Sequence, residues 1–253
     1  MKKIVPIIHN KIWGYEIWLV SSLEGMETKF VDNSLVKNAP LIKIICAKEP
    51  LSVQVHPDDL LAREIEKQNN GKTETWFVLD CNSNSEMVLG LTNYDKKVVE
   101  NKLKNNNLGD ILNIVKVQKS HFYNIPAGLV HGLGTMNKSN ITVIEVQQPS
   151  DTTYRLYDYK RVDQNNQMRE IHVDKALKCI KDLDYNAEIK SNINEDLYYQ
   201  NEFYKCELIS NSKVTKDNGW AIVYENDNYF AYEVSAGEVL PNQAIFFVSW
   251  IKN

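Results

Sequence analysis

Short runs of β-forming residues, separated by turn signals and seldom by helix, constrain the fold of this chain most. TWFVLD at residues 75–80, MVLGL at 87–91 and ITVIEVQ at 141–147 are runs of this kind, as are YKCELI, GWAIVYE, YFAYEV and AIFFVSW nearer the C-terminus. Each is strand length and rich in branched or aromatic residues. Residues 41–56 are β-rich with a break at Glu49-Pro50. Within them Val53 and Val55 point one way, while Ser52, Gln54 and His56 point the other. Helical periodicity is predicted over 57–69, 95–105 and 172–183. The first of these opens on Pro57-Asp58-Asp59, where proline suits a first turn and the acids suit the positive end of the helix dipole. Without a βαβ alternation, the pattern points to a mainly β sandwich or barrel with a few short helices.

A chain of 253 residues can build one large β domain or two smaller ones. A charged, helical stretch over 161–195 separates two strand-rich blocks. The reading is therefore a catalytic unit over 1–160, a connector over 161–195, and an abbreviated C-terminal β domain over 196–253. The net charge is −4 with both signs interspersed, so no basic field exists to hold nucleic acid. A small phosphorylated ligand needs only one or two local cations. The two N-terminal lysines lead into no apolar run of signal-peptide length, and no stretch approaches a bilayer span. Cys46, Cys81, Cys179 and Cys206 form no CxxC pair. The expectation is a cytoplasmic, reduced protein without a membrane or nucleic-acid partner, either monomeric or a homodimer.

Chemistry concentrates around two of the five histidines. His56 shares a strand face with Gln54, so both side chains reach one point. Gly71-Lys72-Thr73-Glu74 then places a lysine and a carboxylate at a strand entrance. His131 follows the turn Pro126-Ala127-Gly128 in IPAGLVHGLG. Two imidazoles, a carboxylate and an amide oxygen suit a divalent metal with an open position; zinc and iron both satisfy that donor set. His121 reads as structural, His172 at a helix start and His9 in an N-terminal arm read as lying outside the site, and Trp13, Trp18 and Trp76 read as core or packing residues.

The blocks LSVQVHPDD, GKTETWFVLD, IPAGLVHGLG and EVQQPSDTTYRLYDYKR occur in that order. Together they resemble the signature blocks of type I phosphomannose isomerases, in particular the short bacterial form, and WGYEIW at 13–18 resembles that family's N-terminal block. The resemblance runs from about residue 10 to about residue 180. It implies a cupin jelly roll holding one zinc ion per chain through Gln54, His56, Glu74 and His131. It also implies a catalytic Arg155, with Lys72 and Asp151 in the pocket. The implied reaction interconverts mannose 6-phosphate and fructose 6-phosphate through a cis-enediolate. Arg155 and Lys72 would serve both catalysis and substrate binding, Asp151 catalysis, and Ser52 substrate binding. The segment after His131, GLGTMNKSNITVI, is longer than the family's usual connection and is expected to extend a hairpin tip at Met136 to Asn140. Two other readings stand beside the isomerase: a non-catalytic sugar-phosphate-binding cupin, and an iron cupin oxygenase using the same ligands.

Overall fold

The computed structural model describes residues 1–162, 166–183, 188–189, 198–209 and 213–251. Much of the connector predicted over 161–195 lies outside the described residues. Three antiparallel sheets stack in layers, with helices on the outer face of the third.

The middle sheet runs, strand by strand across it, Glu188–Ile189, Phe122–Ile125, Glu74–Cys81, Ile141–Gln147, Leu41–Ala47, Gly14–Val20 and Ile7–Lys11. Both of its faces are covered, which explains why its central strands read as nearly unbroken apolar runs. Ile42, Ile44, Phe77, Ile144 and Val146 point toward the C-terminal sheet and join one core with Tyr204, Trp220, Phe246 and Val248. Ile45, Trp76, Val78 and Val143 point the opposite way, into a second core with Met87, Leu89 and Leu133.

The third sheet has the order Tyr154–Tyr157, Val53–Val55, His131–Gly132, Glu86–Leu91 and Leu112–Lys116. The alternation expected around Gln54 holds. Val53 and Val55 are fully buried on the outer face, against helices α1 (Asp59–Glu66), α2 (Lys96–Lys104) and α3 (Val173–Cys179). Asp58 caps α1 by accepting from the Leu61 N–H at 2.8 Å, and Asp95 caps α2 through Lys97 and Val98. The observed α3 stops at Cys179, short of the predicted residue 183.

The C-terminal sheet contains Tyr198–Gln200, Tyr204–Leu208, Ala244–Trp250, Gly219–Glu225 and Asn228–Val234, followed by Lys2–Val5 and Lys29–Phe30. Two segments that the sequence reading assigns to the first block thus hydrogen-bond into the sheet of the last, with Lys3 opposite Tyr232 and Ile4 opposite Ala231. The N-terminal residues, read from sequence as an arm, form strands in two sheets.

Candidate active site

Two strand registers face each other across the second core. On the third sheet His131, Gln54 and Arg155 occupy one row, because Gln54 pairs with both neighbours. On the middle sheet Leu41, Gln147 and Glu74 form a row, and Lys43, Glu145 and Trp76 form the next on the same face. Residues directly opposite in a ladder share a face. Both sheets therefore aim polar side chains into the space between them.

Backbone contacts explain why the motif residues sit where they do. Gly71 packs so closely under α1 that a Cβ would lie 2.4 Å from the Asp58 carbonyl carbon and 2.5 Å from the Pro57 oxygen. The Lys72 N–H donates to Pro57 O at 2.9 Å, and the Gly71 N–H to Asp59 Oδ1 at 2.9 Å. These contacts seat the Lys72–Glu74 segment against the helix entrance. Gly128 has a φ of 95°, which closes the Pro126 turn, and its N–H donates to His56 O at 2.9 Å. Gln148 accepts from the Thr73 N–H at 2.9 Å and donates to Asp59 at 2.8 Å. The four sequence blocks are thus joined by hydrogen bonds before any side chain of the site is considered.

His56, Glu74 and His131 converge, fully buried, with one ligand atom from each within 4.8 Å of the others. His56 Nε2 lies 3.3 Å from Glu74 Oε1, and His131 Nε2 lies 3.6 Å from Glu74 Oε2. The Gln54 amide nitrogen lies 3.4 Å from His131 Nε2. A tetrahedron with bonds of ~2.0–2.2 Å has edges of about 3.3–3.6 Å, which the two His–Glu74 separations match. The tautomers fit as well. His56 Nδ1 lies 2.9 Å from Thr152 O, and His131 Nδ1 lies 2.9 Å from Leu129 O. Each Nδ1–H donates to a carbonyl, which leaves both Nε2 lone pairs facing the centre.

Burial, followed by the Lys72 charge, pushes the His56 imidazole down to about 3; burial also lowers His131. Both rings are therefore neutral, as metal ligation requires. Burial alone would raise Glu74, but the Lys72 ammonium outweighs it and holds the carboxyl well below its usual range. Lys72 Nζ sits 2.7 Å from Glu74 Oε1 and 3.3 Å from His56 Nε2.

A cavity of about 310 Å³ opens over this cluster. Gln54, Lys72, Ser52, Arg155 and Asp151 all border it. His56, Glu74 and His131 are absent from its lining and lie beneath it. Every residue singled out from the sequence thus belongs to one place, with Asp151 at the exposed rim. Lys11, Lys43, Lys72, Arg155 and Arg169 outnumber the acids around the opening, so the cavity is locally positive in a chain of net charge −4. A larger groove, 780 Å³, lies beside Trp220 and Trp250 on the C-terminal sheet; none of the candidate residues reaches it.

Arg155 is placed by its backbone. Its N–H donates to His172 Nδ1 at 3.0 Å, and its NH1 donates to Glu170 O at 2.9 Å. Its Nε is buried with no protein partner among the described residues. Asp158, three residues along the chain from Arg155, pairs with Arg161 and Arg169. His172, read from sequence as lying outside the site, supports it from one layer behind.

Sequence reasoning missed a second polar layer. The ammonium of Lys43 is ion-paired with Glu145, whose Oε1 also accepts from Trp76 Nε1 at 2.9 Å. Burial opposes the charge on Lys43, but Glu145 and then Glu16 outweigh it and raise its pKa. Burial and then Glu74 push Glu145 upward despite Lys43. Trp18 donates to Glu16 at 2.7 Å, and Trp13 and Trp18, expected to be packing residues, border the cavity while remaining buried. The signal was present in LIKIICA and ITVIEVQ: one charged residue inside each strand that is otherwise almost wholly apolar, at positions the ladder pairs.

Residues 15–101 match the model of the phosphomannose isomerase type I catalytic domain. Mannose-6-phosphate isomerase ManA of Bacillus subtilis is 35% identical over 173 residues, covering 68% of this chain and 50% of that protein. Mannose-6-phosphate isomerase of Streptococcus mutans is 34% identical over 174 residues, covering 68% of this chain and 53% of that one. The matched stretches span between 50% and 63% of the curated relatives' length. The crystal structure of a Bacillus subtilis mannose 6-phosphate isomerase superimposes with a TM-score of 0.69 at 22% identity, covering 98% of this chain and 96% of that one. That likeness establishes the mainly β cupin fold. Because the family match spans Gln54, His56, Lys72 and Glu74, in the blocks from which the cluster is built, the chain belongs to the type I phosphomannose isomerase family.

Proposed function

We propose that this chain is a zinc-dependent isomerase interconverting mannose 6-phosphate and fructose 6-phosphate, with one ion per chain held by Gln54, His56, Glu74 and His131. The observation that carries the reading is the buried His–Glu–His cluster, its rings neutral and its ligand atoms within 4.8 Å of one another, beneath a locally positive cavity. The borderline N and O donor set suits zinc, and the curated relatives are named for this reaction.

The reaction moves a carbon-bound proton from C2 to C1 and a hydroxyl proton from O2 to O1, with no net change in atoms. The bound ion would supply Lewis acidity toward the oxygens that carry negative charge in the enediolate. Arg155 contributes a fixed positive charge at the cavity wall, and its unpartnered Nε is free to donate to a substrate oxygen. Lys72 keeps Glu74 ionised and presents its ammonium to the same space, where it can hold a sugar oxygen and pass a proton. Ser52 offers a hydroxyl from the strand face of Gln54 and His56, and Asp151 offers a carboxylate from the rim.

In this proposal the unit that follows the connector carries none of the site's side chains and serves as a companion β layer. Cytoplasmic location belongs to the same reading and is supported by the four unpaired cysteines. Among the described residues no helix is long and apolar enough to cross a membrane. The test is a coupled assay of the purified chain with mannose 6-phosphate, before chelation, after it, and after add-back of zinc or iron. Turnover lost on chelation and restored by zinc supports the proposal. Turnover unaffected by complete metal removal overturns the metal assignment, and absence of turnover by metal-loaded chain overturns the isomerase reading.

A further inference from the structure

Gln147 takes no part in the metal cluster, yet it is fully buried and borders the cavity. Its Nε2 donates to Gln148 O at 3.0 Å and to Ser150 O at 2.6 Å. Two acceptors on the nitrogen fix the orientation of the amide, since a half-turn would set its oxygen against both carbonyls. Oε1 is thereby left as a buried acceptor with no protein partner among the described residues.

We propose that Gln147 Oε1 accepts a hydrogen bond from a hydroxyl of the substrate's carbon chain and so sets specificity for the polyol. This rests on the isomerase reading. The Lys43 ammonium is committed to Glu145, the Lys72 ammonium to Glu74, and the Trp76 N–H to Glu145. An amide oxygen can only accept, so its partner must bring an N–H or O–H. A phosphate dianion has acceptor oxygens alone and cannot be that partner; a sugar hydroxyl can. The amide nitrogen is satisfied by the two carbonyls, but the oxygen is paired only when a further donor arrives. Its place in the ladder, directly opposite Glu74, sets the residue beside the His–Glu–His cluster.

The test compares kcat/KM for mannose 6-phosphate with its 3-deoxy and 4-deoxy analogues, in the metal-loaded wild-type chain and in Gln147→Met, with metal content measured for both. The wild-type chain should discriminate against one analogue by about tenfold, the scale of one neutral hydrogen bond. Gln147→Met should lose that discrimination while keeping its metal and its response to the other analogue. Gln147→Asn, which retracts the oxygen by one methylene, should show an intermediate loss and serves if the methionine variant fails to fold. Wild-type kcat/KM equal for all three substrates overturns the proposal, whatever the variants do. Discrimination unchanged in a folded variant also overturns it, while leaving the isomerase reading intact. A wild-type chain that turns over none of the substrates defeats that reading and the inference with it.

Discussion

Lys43→Met is the most informative perturbation of the buried polar layer. Lys43 and Glu145 lie at 6% and 2% exposure, between two apolar cores. The substitution keeps the volume of the side chain but leaves the Glu145 carboxylate with only the Trp76 N–H, at 2.9 Å, as a compensating donor. Removing one partner of such a pair costs about 3–5 kcal/mol. For a chain of this size each kcal/mol lowers Tm by roughly 2–4 °C, so the loss should be about 6–20 °C. The penalty should depend on pH. Burial and Glu74 already raise the Glu145 carboxyl above its unfolded value, and loss of Lys43 raises it further. Between the unfolded value, about 4.3, and the raised folded value, the folded variant binds more protons than the unfolded one, so stability falls as pH rises through that window. Urea unfolding followed by tryptophan fluorescence at pH 8 and pH 5.5 should show the larger penalty at pH 8. Adding Glu145→Gln should recover part of it, because no buried charge then remains unpaired. A variant within about 1 kcal/mol of wild type at pH 8, or a penalty that does not shrink at pH 5.5, would refute the reasoning.

Gly71→Ala forces a Cβ into the backbone of Pro57 and Asp58, so it should displace Lys72 and lower both Tm and turnover; unchanged values for both would show that the α1 entrance yields. Arg155→Lys keeps a charge but loses the planar fork, and kcat should fall about 10²-fold with metal content unchanged, as read by the coupled assay and elemental analysis. His56→Ala should cut bound metal to well below one ion per chain by elemental analysis, whereas His121→Ala should not. Asp158, held below the usual carboxylate range because Arg169 and Arg161 outweigh its burial, contributes stability above its unfolded value of about 3.9 that is lost as pH falls. Asp158→Asn should therefore destabilise the chain at pH 7 and narrow its difference from wild type below pH 4, as measured by thermal unfolding.

Local residue pattern alone determined much of this protein. Strand and helix type followed from hydrophobic period and from caps such as Asp58 and Asp95, because these effects act within a few residues. The side-chain alternation of Ser52, Gln54 and His56 against Val53 and Val55 is a property of a single strand, so the face that carries the ligands was legible before any sheet existed. Tertiary structure decided which strands lie side by side. Nothing in the sequence places Lys3 beside Tyr232, or Lys43 beside Glu145, since ladder partners distant in sequence are selected by burial on both faces of the middle sheet. The same holds for Gln147: its residue type is visible in EVQQPSD, but its proposed role depends on two carbonyls that hold its nitrogen and on a cavity that the residue borders. The convergence of His56, Glu74 and His131 could be read from motifs because these residues lie in blocks with local constraints. The polar layer around it could not, because a charge inside an apolar strand shows its purpose only once the fold supplies its partner.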